Sequence, residues 1–220
     1  MTAATTEAIN AAMTGFVDAV AGADLVLQSA PANAQIVLCV AVGLGAGIPL
    51  LWLIATYNRF ARLGQHVKES WSGVDVELKR RHDLIPNLVE AVKGYAAHER
   101  DTIEAVVAAR TKAMQAGDGV RERVEGETEV ARALGRLVAL AEAYPNLKAD
   151  GHFLELQREL SLTEDRIAAS RRFYNANVRE LNSLRVAFPS NLVAGAFGFG
   201  EERFFELADP AERAAPQVRT

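Results

Sequence analysis

The feature that most constrains this chain is a run without charge. From Leu25 to Asn58 there is no Asp, Glu, Lys or Arg, and AQIVLCVAVGLGAGIPLLWLIAT (34–56) is apolar almost throughout. A helix needs about 20 such residues to cross a bilayer. Gly43, Gly45, Gly47 and Pro49 would weaken a helix in water, but lipid-embedded helices tolerate them. Trp52 and Tyr57 lie toward one end, where amphipathic aromatics favour the interface. The segment before the run has Glu7, Asp18 and Asp24 but no basic residue, and SAPANA (29–34) precedes the apolar run instead of following it. Both features oppose a cleaved secretory signal and predict a retained transmembrane helix over 34–56. Arg59, Arg62 and Lys68 follow the run. The positive-inside rule therefore predicts an inner-membrane protein with its N-terminus outside and its C-terminal domain in the cytoplasm.

The remainder bounds the function class. The formal charge of −4 lacks the basic excess of a general nucleic-acid binder. Cys39 is the only cysteine, which excludes an internal disulfide and any zinc site built on paired cysteines. The leader, 1–33, is acidic and Ala/Thr-rich; Ile9, Met13, Phe16, Val17 and Val20 have helical spacing without a basic face to hold anionic lipid.

Beyond the span every apolar pattern is helical, and the fold class expected is all-α: one transmembrane helix continuing into a long antiparallel bundle. Phe60, Leu63, Val67, Trp71, Val74 and Leu78 step by three or four and predict a rod from residue 35 to about 83. Pro86 suggests a break, with Asp83, Pro86 and Asn87 forming a helix corner and Asp83 as cap. A second helix then runs to about Met114 on the stripe Leu88, Val92, Ala96, Ile103, Val106 and Met114. A third, 121–143, carries Val124, Ala131, Leu134, Val138 and Ala141. From Phe153 to Phe188, alternating steps of three and four form a heptad seam whose middle is polar at Thr163, Ser170 and Asn177. Such residues set register or partner number in an oligomer, or face other buried polar groups within one chain. The domains expected are therefore the leader 1–33, the span 34–56, a cytoplasmic bundle 57–205 and a tail 206–220.

Chemistry is sparse. His82-Asp83 and His98-Glu99 bracket HDLIPNLVEAVKGYAAHE (82–99), and His82, Asp83 and His98 are the residues a metal-dependent helical-bundle hydrolase would have to use. The chain has neither HExxH nor two histidines at helical spacing, so architecture is the preferred reading and no cofactor or metal is expected. The basic run Lys79-Arg80-Arg81 reads as a solvated face or as bundle salt bridges. FPSNLVAGAFGF (188–199) followed by EERFFEL is an apolar tail that either packs back or binds something; the candidate contact residues are Phe188, Leu192, Val193, Phe197, Phe199, Phe204 and Phe205.

The long stretches YNRFARL (57–63), WSGVDVELKRRHDLIPNLVEAVKGYAAHE (71–99), YPNLKAD (144–150), LQRELSLTEDRIAASRRFYNANVRELNS (156–183) and FPSNLVAGAFGF (188–199), in this order, resemble the LemA family of bacterial membrane proteins. The resemblance implies one N-terminal membrane helix and a cytoplasm-facing helical domain, with no established catalytic residues to carry over. Some branches are associated with magnetosome membranes, and a membrane-organising role is one reading that the resemblance leaves open. The acidic leader is longer than the family pattern. The expected function is a non-enzymatic membrane-anchored scaffold or adaptor whose partners are the lipid bilayer, an unidentified protein, or further copies of the chain. The alternatives are the hydrolase and a transmembrane sensor or relay.

Overall fold

A computed structural model describes residues 31–96, 98–117 and 119–206, together with Ala11 and Thr14; of Ala32, Ala34, Leu38, Cys39 and Val42 it describes the helical backbone but not the side chains. The expectations for the leader before Pro31, for the Cys39 thiol and for the tail beyond Glu206 lie outside the described residues.

Among the described residues the secondary structure is helical: α1 (Ala32–Tyr95), α2 (Arg100–Met114), α3 (Val120–Glu142), the single turn α4 (Pro145–Lys148), α5 (Gly151–Val186) and α6 (Ser190–Phe197). The all-α expectation is met. The chain divides into two compact units. One takes the chain through Gly64 together with Leu181–Glu201; the other takes Gln65–Glu180 and the chain from Glu202 onward.

The larger unit is a bundle made by α2, α3, α4 and the parts of α1 and α5 that belong to it. Its core joins Ile85, Leu88 and Val92 of α1, Ile103 and Val106 of α2, Val130, Leu134 and Leu137 of α3, Leu147 of α4, and Phe153, Leu156 and Leu160 of α5. Each fully buried Leu, Ile or Phe contributes about 1.5–3 kcal/mol of transfer free energy. Where α2 meets α3 the backbones come close, and a Cβ on Gly126 would stand 3.1 Å from the Cα of Ala113. Glycine leaves that space open. Asp150 starts α5: its Oδ1 accepts from the Phe153 N–H at 2.8 Å, the side-chain bond of a helix N-cap. Its Oδ2 accepts from the Tyr95 hydroxyl at 2.9 Å. The Phe153 bond first, and the Tyr95 bond second, hold the Asp150 carboxyl below its ordinary pKa.

The sequence places a corner at Asp83, Pro86 and Asn87, and the structure corrects this. Helix α1 runs through Pro86 and ends only at Tyr95. A proline inside a helix lacks the N–H that should reach the carbonyl four residues back, here that of His82. Arg110 of α2 replaces it, donating from Nε to the His82 carbonyl at 2.8 Å. Tertiary packing thus supplies the bond that local sequence removes, and the helix ends at Tyr95, with the next beginning at Arg100. Asp83, expected as a cap, lies exposed in mid-helix.

The smaller unit has few elements: α1 up to Gly64, the end of α5, and α6. Its buried residues are Thr56, Phe60, Leu63, Leu181, Ser190, Val193 and Ala194. The Ser190 hydroxyl bonds the carbonyls of Leu184 at 2.6 Å and Ala187 at 3.0 Å, closing the turn between α5 and α6. Gly198, at φ 75°, ends α6 in the left-handed conformation that favours glycine. The expected span lies in α1, and most of its described apolar side chains are exposed, among them Ile36, Val37, Leu44, Ile48, Leu51 and Ile54, with Leu53 half-buried. Among the described residues no helix is long and apolar enough to cross a membrane; Ala34, Leu38, Cys39 and Val42, which belong to the expected span, have no described side chains.

Candidate functional site

The larger unit holds a buried ionic cluster that ties three helices together. Arg81 of α1 is wholly buried, and so is Glu127 of α3. The Arg81 Nη2 donates to Glu127 Oε2, while Nη1 donates to both carboxylate oxygens of Glu164 on α5, at 3.0 and 3.2 Å. His82, also buried, brings Nε2 to 3.1 Å from the other Glu127 oxygen. Burial alone would push the Glu127 carboxyl up; the close approach of the His82 ring and the Arg81 charge outweigh it and hold the group below its ordinary pKa. An arginine fits here because its planar fork serves two carboxylates at once. Arg110 on the His82 carbonyl adds the fourth helix, and Arg123 of α3 donates to Asp75 of α1 at 2.9 Å. Arg81 Nη1 and Nη2 are thus taken up by carboxylates of the same cluster, and of its members Glu164 reaches the surface, at 40% exposed.

A second arrangement holds the chain after α6. The Tyr174 hydroxyl donates to the Arg203 carbonyl at 2.9 Å. Asn175 bonds Phe205 in both directions, its Nδ2 to the carbonyl at 3.0 Å and its Oδ1 from the N–H at 2.8 Å. Trp71 meets the rings of Tyr174 and Phe205 at 5.3 and 5.6 Å. Burial, aided by the Glu202 charge, pushes the Tyr174 phenol up to about 12.

In the smaller unit Phe199 stacks on Phe60 at 4.7 Å. Tyr57 meets Phe197 at 5.0 Å and Phe199 at 5.7 Å, both edge-on. Phe188, Leu192 and Phe197 remain exposed at 81, 62 and 51%.

The candidate contact residues therefore divide. Val193 and Phe205 are core and Phe199 is packed against α1, which corrects their assignment to a contact surface. Phe188, Leu192, Phe197 and Phe204 are exposed. The polar seam turns inward: Thr163 is buried and bonds the Glu159 carbonyl of its own helix at 2.8 Å. Asn177 donates to the His66 carbonyl of α1 at 3.4 Å, and Ser170 is half-buried. His82, Asp83 and His98 do not converge. His82 is buried, Asp83 is exposed, and His98 lies exposed beyond the end of α1, with about 20 Å of helix between His82 and Tyr95. Among the described residues no group of three or more His, Cys, Asp or Glu could hold a metal ion.

The sequence reading allowed Arg81 a bundle salt bridge but missed Glu127 and Glu164 as its partners, although a signal exists. Extending the stripe Val74, Leu78 by three or four residues lands on Arg81 and His82, and then on Ile85. A charge on an extrapolated apolar stripe indicates a buried ion with a partner.

The family model described as LemA family matches residues 70–219. The chain is 26% identical over 179 residues to "Magnetosome protein MamQ 2" of Paramagnetospirillum magneticum, covering 70% of this chain and 66% of that protein, slightly under two thirds of its length. It is 27% identical over 163 residues to "Protein LemA" of Metamycoplasma hominis, with 74% of each covered. "Magnetosome protein MamQ" of Magnetospirillum gryphiswaldense is 25% identical over 178 residues, covering 70% of this chain and 65% of that protein. With the family model matching well over half of its length, the chain belongs to the LemA family.

Proposed function

We propose that this protein is a non-enzymatic scaffold or adaptor anchored in the bacterial inner membrane by residues 34–56, with its helical bundle on the cytoplasmic side. The observation that carries this reading is that one helix, α1, includes both the apolar segment and the Phe60–Val92 core stripe. A helix whose Ile, Val and Leu side chains point outward is stable in lipid and a liability in water. The inward-facing ionic cluster supports a structural interior over a catalytic one. Arg59, Arg62 and Lys68 support the orientation, and relatives named as magnetosome proteins fit a role in organising a membrane.

Two measurements test it. The protein should remain in the membrane pellet after alkaline carbonate washing. In a Cys39→Ala background, Ser29→Cys should react with an impermeant thiol reagent in intact spheroplasts, and Leu162→Cys only after lysis. Carbonate release, or the reverse labelling pattern, would refute the anchor or its orientation. For the scaffold role, a photo-crosslinking residue at exposed Phe173 (64% exposed) should give discrete adducts in intact cells, whereas none from a panel of exposed bundle positions would refute it.

A further inference from the structure

The exposed apolar face around α6 has an occupant that its surroundings identify. No charged residue occurs from Val186 to Gly200. It is shorter than the uncharged run Leu25–Asn58 but like it largely apolar. The structure folds it into a lobe: Arg185 and Glu201, the charged residues at its two ends, meet at 3.6 Å. Inside the lobe Ser190, Val193 and Ala194 are buried, and α6 is turned so that Leu192 and Phe197 face out. Val186 and Phe188, at the turn before it, are exposed at 69 and 81%.

The lobe's place decides what covers that face. Phe197 and Phe199 rest on Tyr57 and Phe60, and Tyr57 follows the last residue of the apolar run, Thr56. α6 is therefore packed at the foot of the segment read as the anchor, at the depth where the hydrocarbon gives way to headgroups. A face of Phe and Leu there, with Asn191 as its exposed polar side chain, matches the chemistry of the acyl–headgroup boundary. Arg62, exposed one turn below Tyr57, adds a cation at headgroup level. A soluble partner would have to enter that layer to reach the same face.

We propose that the 186–200 lobe is a lipid-interface foot: Phe188, Leu192 and Phe197 insert into the cytoplasmic leaflet beside the anchor. This deepens the anchored reading and rests on it.

The test uses full-length protein with Cys39→Ala, reconstituted in phosphatidylethanolamine/phosphatidylglycerol vesicles and carrying one nitroxide label at a time. Leu44→Cys reports on the anchor, Leu192→Cys on the foot, and Leu162→Cys on the bundle surface. Oxygen partitions into lipid and a nickel chelate stays in water, so their ratio reads depth. The expected result is strong oxygen and weak nickel relaxation at 44 and 192, with the reverse at 162. Strong nickel relaxation at 192 with a lipid-buried 44 would overturn the foot while leaving the anchor intact. A label at 192 shielded from both reagents would assign the face to protein, whether a second copy or a partner, and would equally overturn it. Water exposure at 44 would refute the anchor and the foot together.

Discussion

At the scale of single residues, the Arg81–Glu127 pair dominates. Removing one member of a buried ion pair leaves the other charged and desolvated, at a cost of about 3–5 kcal/mol. Glu127→Ala is therefore expected to lower unfolding free energy by about that amount in urea titrations followed by circular dichroism. Arg81→Met combined with Glu127→Leu should recover most of the loss, because no wholly buried charge of the pair is then left, and the Glu164 carboxylate that loses Arg81 is 40% exposed and can be solvated. The pH dependence has a definite sign. Glu127 is held below its ordinary value of 4.5 in the folded protein. Its stabilisation is thus fully present above that value and lost as pH falls through the depressed folded one. The stability advantage of wild type over Glu127→Gln should shrink over that acid range. Tyr174 acts at the other extreme: raised to about 12 from its ordinary 10.0, it contributes fully below pH 10 and loses that contribution as pH climbs toward 12.

At the scale of elements, Pro86 and Arg110 act as a unit. Pro86→Ala would return an N–H to the His82 carbonyl and remove the reason for Arg110 to reach it. Arg110→Ala should cost about 1–2 kcal/mol in wild type and clearly less in the Pro86→Ala background. A double-mutant cycle should show coupling of about 1 kcal/mol, and additive effects would refute the substitution of one donor for the other. The segment after α6 makes a parallel case. Asn175→Ala removes both bonds to Phe205 and should speed trypsin cleavage after Arg203 in native protein, with intact mass spectrometry reading the cut. Deleting 188–205 would also remove a piece of the core, so point substitutions are the safer probe of the exposed face. These elements also show what the sequence could reveal. The stripe from Phe60 to Leu78 is buried as its spacing predicts, apart from a half-buried Trp71, because helical period and burial coincide there. The face of α3 was misjudged: its buried positions are Gly126, Glu127, Val130, Ala133, Leu134, Leu137 and Ala141. Two residues that apolar periodicity assigns to solvent, a glycine and a glutamate, lie on that face. Met114 is likewise exposed while Ala113 is buried, since the close approach at Gly126 admits the smaller side chain. The missing corner at Pro86 has the same origin, a contact from a distant helix that no local pattern encodes.

At the scale of the whole molecule, the question is whether copies associate through the α5 seam. The seam residues Phe153, Leu156, Leu160, Thr163, Ile167, Tyr174 and Leu181 are all buried within one chain. Coiled-coil association needs that stripe free to receive knobs from a second helix, and here the chain's own helices have taken it. Polar seam residues should then govern how one chain folds, with no say in how many chains meet. Thr163→Val and Asn177→Leu are accordingly expected to change the urea midpoint while leaving the mass of detergent-extracted protein unchanged. Light scattering with the detergent contribution subtracted makes the distinction. A change in mass would show that α5 opens to pair between chains. Unchanged mass, whether monomeric or larger, would confine any self-association to surfaces outside the seam, with the exposed apolar side chains of α1 before Thr56 the first to substitute.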